Sequence, residues 1–173
     1  MSREKPLFIT IKIKKMKHQL SVILLCVVAS TCLFISCKKE NKTVPLKGTY
    51  STVNEPLSGP PMVLQKITGT GQSTLLGQST FIAFSTLHLT TPPPFKLSGT
   101  STSYAANGDV FYTSFTGTAT PGPNGTMALV INHTITGGTG RFNNAGGSFV
   151  SNAIADPKIP IGTVTNDGYV IFN

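Results

Sequence analysis

The chain has 173 residues, of which 14 are Lys or Arg and 6 are Asp or Glu, for a formal charge of +8. Six of those cations (Arg3, Lys5, Lys12, Lys14, Lys15 and Lys17) precede residue 18, and from Cys37 onward 8 basic and 5 acidic residues leave 8 − 5 = +3. A nucleic-acid partner needs clustered cations that release counterions together, and the body of this chain, with its cations scattered apart from Lys38, Lys39 and Lys42, offers no such footprint.

The first predicted element is a processing signal. KKMKHQ is basic, and Leu20 to Ile35 (LSVILLCVVASTCLFI) is almost wholly apolar. That run is shorter than the ~20 residues that cross hydrocarbon as a helix. A basic start, a short apolar run and a small residue before the break describe a secretory signal peptide. Met16 opens a compact signal of its own, MKHQLSVILL, so translation starting there would make residues 1–15 an artefact. LFISC, Leu33 to Cys37, resembles the lipobox of bacterial lipoproteins. The resemblance implies cleavage between Ser36 and Cys37, lipidation of Cys37 with acyl chains such as palmitate, and a place in the cell envelope, on either face of the outer membrane. Cys26 and Cys32 would leave with the signal, residues 1–36. No thiol would then remain for a disulfide or a cysteine metal site. A plain secretory cut that leaves Cys37 free is the alternative. Residues 37–47, polar and Lys-rich, read as a flexible tether.

From residue 48 to 173 the chain reads as all β. Thr, Ser and Gly dominate, no stretch repeats apolar residues at helical spacing, and short β-branched or aromatic runs sit between turn signals. Strands are predicted at Met62–Thr70, Ser73–Phe84, Ser85–Thr90, Phe95–Ala105, Asp109–Ala119, Thr126–Thr136, Ser148–Ala155 and Ile161–Phe172. Met127, Leu129, Ile131, His133 and Ile135 alternate with Ala128, Val130, Asn132, Thr134 and Thr136 along the sixth. Asn107-Gly108, before Asp109, is the preferred centre of a type I′ hairpin turn. Pro92–Pro94, Pro121–Gly125 and Asp156-Pro157 are connections, since Pro cannot donate to a ladder. Short regular strands without helices point to a sandwich or a closed barrel.

Three segments carry a family resemblance: GTGQSTLLGQSTF (Gly69–Phe81), YAANGDVFY (Tyr104–Tyr112) and ITGGTGRFNNAGGSF (Ile135–Phe149). Together they resemble the allene oxide cyclase and dirigent barrels, and most of all the bacterial allene oxide cyclase-like domains. The resemblance implies an eight-stranded antiparallel barrel with an apolar interior. Its catalytic residues do not carry over. The glutamate of the plant cyclases has no matched position here, since Glu55 precedes the first motif, and the paired aspartates and tyrosines of the dirigent proteins have none either.

The glycines also have a purely local reading. Gly137, Gly138 and Gly140 supply positive φ for a tight turn, Phe142 returns the chain to the core, and Gly146 and Gly147 mark a bulge or barrel corner. No Lys-Ser/Thr follows the glycine run, so it is not a phosphate loop. Arg141 and Asp109 are placed to pair across neighbouring turns. Metal sites need several converging ligands, and the isolated His88 and His133 with Glu55, Asp156 and Asp167 do not provide them. No cofactor is expected. No Gly-x-Ser-x-Gly elbow supports a serine hydrolase. His133 shares its face with Leu129 and Ile131, so these three and Phe142 are the expected lumen residues, with His133 either a hydrogen-bonded core histidine or a base. The expected function is a membrane-anchored barrel that binds a small apolar or amphipathic molecule. The alternatives are a filled structural or interaction module and, third, a cyclase- or isomerase-like enzyme.

Overall fold

The computed structural model describes residues 40–156 and 158–173. Ser36, Cys37 and the proposed signal lie outside the described residues. Eight strands run β1 (Lys42–Pro56), β2 (Met62–Ser73), β3 (Gly77–His88), β4 (Phe95–Tyr104), β5 (Val110–Pro121), β6 (Met127–Gly138), β7 (Gly146–Asp156) and β8 (Ile159–Phe172). Each pairs antiparallel with its neighbours in sequence, and β8 closes on β1 from Lys42↔Phe172 to Val53↔Ile161. The unit Glu40–Asn173 therefore holds both neighbours of every strand. Closure removes the unpaired edges that an open sheet would expose, so every strand of this body finds its pairing partners within it.

Two differences from the sequence reading stand out. Residues 42–47, expected as tether, are the start of β1, and 48–56 continue it. Ser73–Phe84 and Ser85–Thr90, expected as two strands, are largely one, β3. Gly69–Phe81 spans the β2–β3 hairpin.

Side chains alternate along every strand, as pleating requires. The inward set of β6 is Met127, Leu129, Ile131, His133 and Ile135; Thr and Ser coat much of the outside. A bulge lies opposite Tyr112/Thr113, where Thr136 has no register partner. It changes the inward parity of β6, so that Gly138 rather than Gly137 faces Phe111.

The interior divides into two cores. At one end Leu46, Leu76, Phe111, Ile135, Phe142, Phe149 and Val170 pack into a plug. Phe111 and Phe142 ring centres stand 5.4 Å apart, and Phe142 and Phe172 5.7 Å. Phe142 and Val170 are 0 % exposed. At the other end lie Leu97, Phe115 and Ala119, with the half-buried Ile67, Phe81, Leu87, Met127, Leu129 and Ile131 around them. Those side chains point inward yet keep solvent contact, because the barrel is hollow there.

A lumen closed at one end is the candidate functional site

Three hairpin loops tie off the plugged end. In the β4–β5 loop Ala105 N–H donates to Asp109 O (2.8 Å) and Gly108 N–H to Ala105 O (3.0 Å). Gly108 has φ +86°, and Asn107 keeps a negative φ. A type I′ turn needs positive φ at both centres, so the expected I′ turn is replaced by a type I turn with a left-handed glycine after it. Asn107 Nδ2 donates to Asp109 Oδ2 (2.8 Å), and Arg141 Nε lies 3.5 Å from the same oxygen. Arg141 also donates to Leu75 O (2.8 Å) and covers the Phe142 ring at 4.9 Å. The β2–β3, β4–β5 and β6–β7 hairpins are thereby joined. Gly140 has φ +55°, and a Cβ there would strike the Asp109 carboxylate. Gly137 and Gly147 also have positive φ; Gly138 does not, and is crowded by Phe142 and Val110 O. Phe142 thus belongs to this plug and not to the lumen, because the short 3-10 turn Gly140–Phe142 folds it under Phe111.

Beyond the plug lies a cavity of about 120 Å³. Leu129, Ile131 and His133 line it, together with Phe115, Phe149, Leu97 and Ala83. Leu87, Met127 and Ala155 carry the lining toward the open rim. Gly99 keeps the wall thin: a Cβ there would run into the Phe115 ring and the carbonyl of Phe84. Among the described residues no Asp, Glu, Lys or Arg lines this cavity.

His133 forms the floor. It stacks on Phe149 at 4.3 Å and 9°, and tilts against Phe115 at 5.0 Å. Burial lowers its pKa from 6.5 to about 4. Both ring nitrogens are engaged: Nδ1 lies 3.3 Å from Thr113 Oγ1 and Nε2 3.0 Å from Ser151 Oγ. Ser151 donates to Asn166 Oδ1 (2.7 Å), and Ser101 and Thr113 hydroxyls meet at 2.7 Å. A polar belt therefore crosses β4 to β8 in chain order: Ser101, Thr113, His133, Ser151, Asn166.

The sequence identified His133 from alternation alone but missed the rest of the belt. Ser, Thr and Asn are so frequent that only the strand register, invisible in one sequence, selects Ser101, Thr113, Ser151 and Asn166. Tyr50, another unflagged group, shares a 2.9 Å hydrogen bond with Ser79 Oγ, and burial raises its pKa. His88, Glu55, Asp156 and Asp167 do not converge: Glu55 pairs with Lys66 at 3.1 Å and Asp167 with Lys47 at 3.3 Å on the outer surface. Among the described residues no group of three His, Cys, Asp or Glu could hold a metal ion.

No protein-family profile and no curated protein matches the chain. Among solved structures it is similar to the pterocarpan synthase dirigent protein GePTS1, with a TM-score of 0.49 and 16 % identity, over 77 % of this chain and 92 % of that one.

Proposed function

We propose that the barrel is a binding module for a small apolar or amphipathic molecule, carried on a lipid-anchored chain. The observation that supports this reading is the lumen: plugged at one end, hollow at the other, its walls mostly apolar apart from Gln65 and Ser85, and its floor polar. Its about 120 Å³ is near the ~150 Å³ of an apolar cavity that accepts benzene and below the ~300 Å³ where pockets for larger ligands begin. The guest is therefore a single ring or a short branched chain, or a longer molecule whose remainder stays in the mouth.

A cyclase- or isomerase-like reading would rest on His133, a buried imidazole facing the cavity. Binding is favoured because hydroxyls occupy both its nitrogens and no carboxylate shares the lining among the described residues. The anchor rests on LFISC. β1 enters the barrel at the plugged end, where Lys42 pairs with Phe172. A lipid on Cys37 would tether the chain to a bilayer ahead of β1.

Native mass spectrometry on residues 40–173, purified without detergent, tests the binding reading. A small co-purifying mass that leaves on denaturation, and is absent from Leu129→Phe, is the expected result. A bare mass that persists after exposure to apolar extracts would overturn it in favour of a protein-interaction module.

A further inference from the structure

The polar belt has a direction. Ser151 gives its only proton to Asn166 Oδ1, so in the 3.0 Å contact with His133 it accepts, and Nε2 carries the ring proton. Nδ1 is then a lone pair and takes the proton of Thr113. Thr113, its proton spent, accepts from Ser101 across 2.7 Å. Every proton points from β4 toward β8. Ser101, the first member, lines the cavity with its proton committed and a lone pair left over. Two residues on along the same face, Ser103 also lines the cavity.

We infer that, within the proposed binding function, the lumen selects uncharged alcohols of about one small ring, whose hydroxyl donates to Ser101 Oγ and accepts from Ser103. Two observations carry this beyond a generic greasy pocket. The lining holds no charged side chain among the described residues, and burial keeps His133 uncharged down to about pH 4. A carboxylate brought in would find no cation, and desolvating it unpaired is prohibitive. The belt's direction then favours donors over pure acceptors, since a ketone or ether can accept from Ser103 but has no proton for Ser101.

The test is a ligand-titration series on residues 40–173 at pH 7 with cyclopentanol, cyclopentanone, methylcyclopentane and cyclopentanecarboxylate, repeated on Ser101→Ala. Cyclopentanol is expected to bind more tightly than the ketone and far more tightly than the carboxylate. Ser101→Ala should weaken the alcohol about three- to tenfold, the range of one net hydrogen bond, and leave the hydrocarbon unchanged. Carboxylate binding equal to the alcohol, or a ketone that outbinds it, would overturn the inference on the unsubstituted protein alone. An alcohol affinity unmoved by Ser101→Ala would overturn it too. Hydrocarbon binding without any preference for the alcohol defeats only this inference; failure of all four rings to bind defeats the binding function beneath it.

Discussion

His133 couples the candidate site to stability. The unfolded chain takes up a proton near pH 6.5, whereas the folded chain does so near 4. Between those values the unfolded state binds more protons, so stability rises with pH across the window. The contribution is complete above about pH 6.5, is lost as pH falls, and levels off below about 4. A shift of this size is worth roughly 3 kcal/mol over the whole window. Urea unfolding at pH 7 and pH 4.5 should show the wild type losing roughly 2 kcal/mol more than His133→Gln. Equal losses would mean that His133 is not held neutral. Gly140 is the other single residue on which much turns. Gly140→Ala forces a left-handed backbone on a side chain that meets Asp109, and should cost about 1–3 kcal/mol, read as a lowered urea midpoint.

At the scale of elements, the strands were unequally legible. β6 announced itself, because Met127, Leu129, Ile131, His133 and Ile135 alternate cleanly with polar neighbours. β1 did not. Its inward set of Leu46, Gly48, Tyr50 and Thr52 is half polar or small, and Pro45 argues against a strand. Pro45 is tolerated because β1 has β8 on one side there, while pairing with β2 begins only at Gly48. β3 was split because Phe84-Ser85-Thr86 hides its alternation; Ser85 is inward and Phe84 outward. The expected number of strands thus agreed with the barrel through two compensating errors. Asn107-Gly108 marked a turn, but the type depends on loop length, which the residue pair alone does not set. Phe142 was legible as buried, and its neighbours were not. As a plug residue, Phe142→Ala should cost about 3–5 kcal/mol by urea unfolding while leaving the lumen's affinity for a small ring unchanged. A loss of binding larger than that of Leu129→Phe would place Phe142 in the site after all.

For the whole molecule, the fold supplies an asymmetry that neither composition nor motif displayed. One end of the barrel is sealed by three cross-linked hairpins and an aromatic plug, and the other keeps inward apolar side chains in contact with solvent. The proposed N-terminal signal rests on the sequence alone and lies outside the described residues. Cys37→Ala should move the protein from the membrane to the soluble fraction, and retention in the membrane would defeat the anchor. A lumen hollow at one end and plugged at the other should fill from the open end, which methyl NMR during a benzene titration of residues 40–173 would show. Saturable shifts are expected at Ile67, Leu87, Leu97, Met127, Leu129 and Ile131, with Leu46, Leu76, Ile135 and Val170 unmoved. No saturable shifts, or shifts spread equally over both groups, would contradict it.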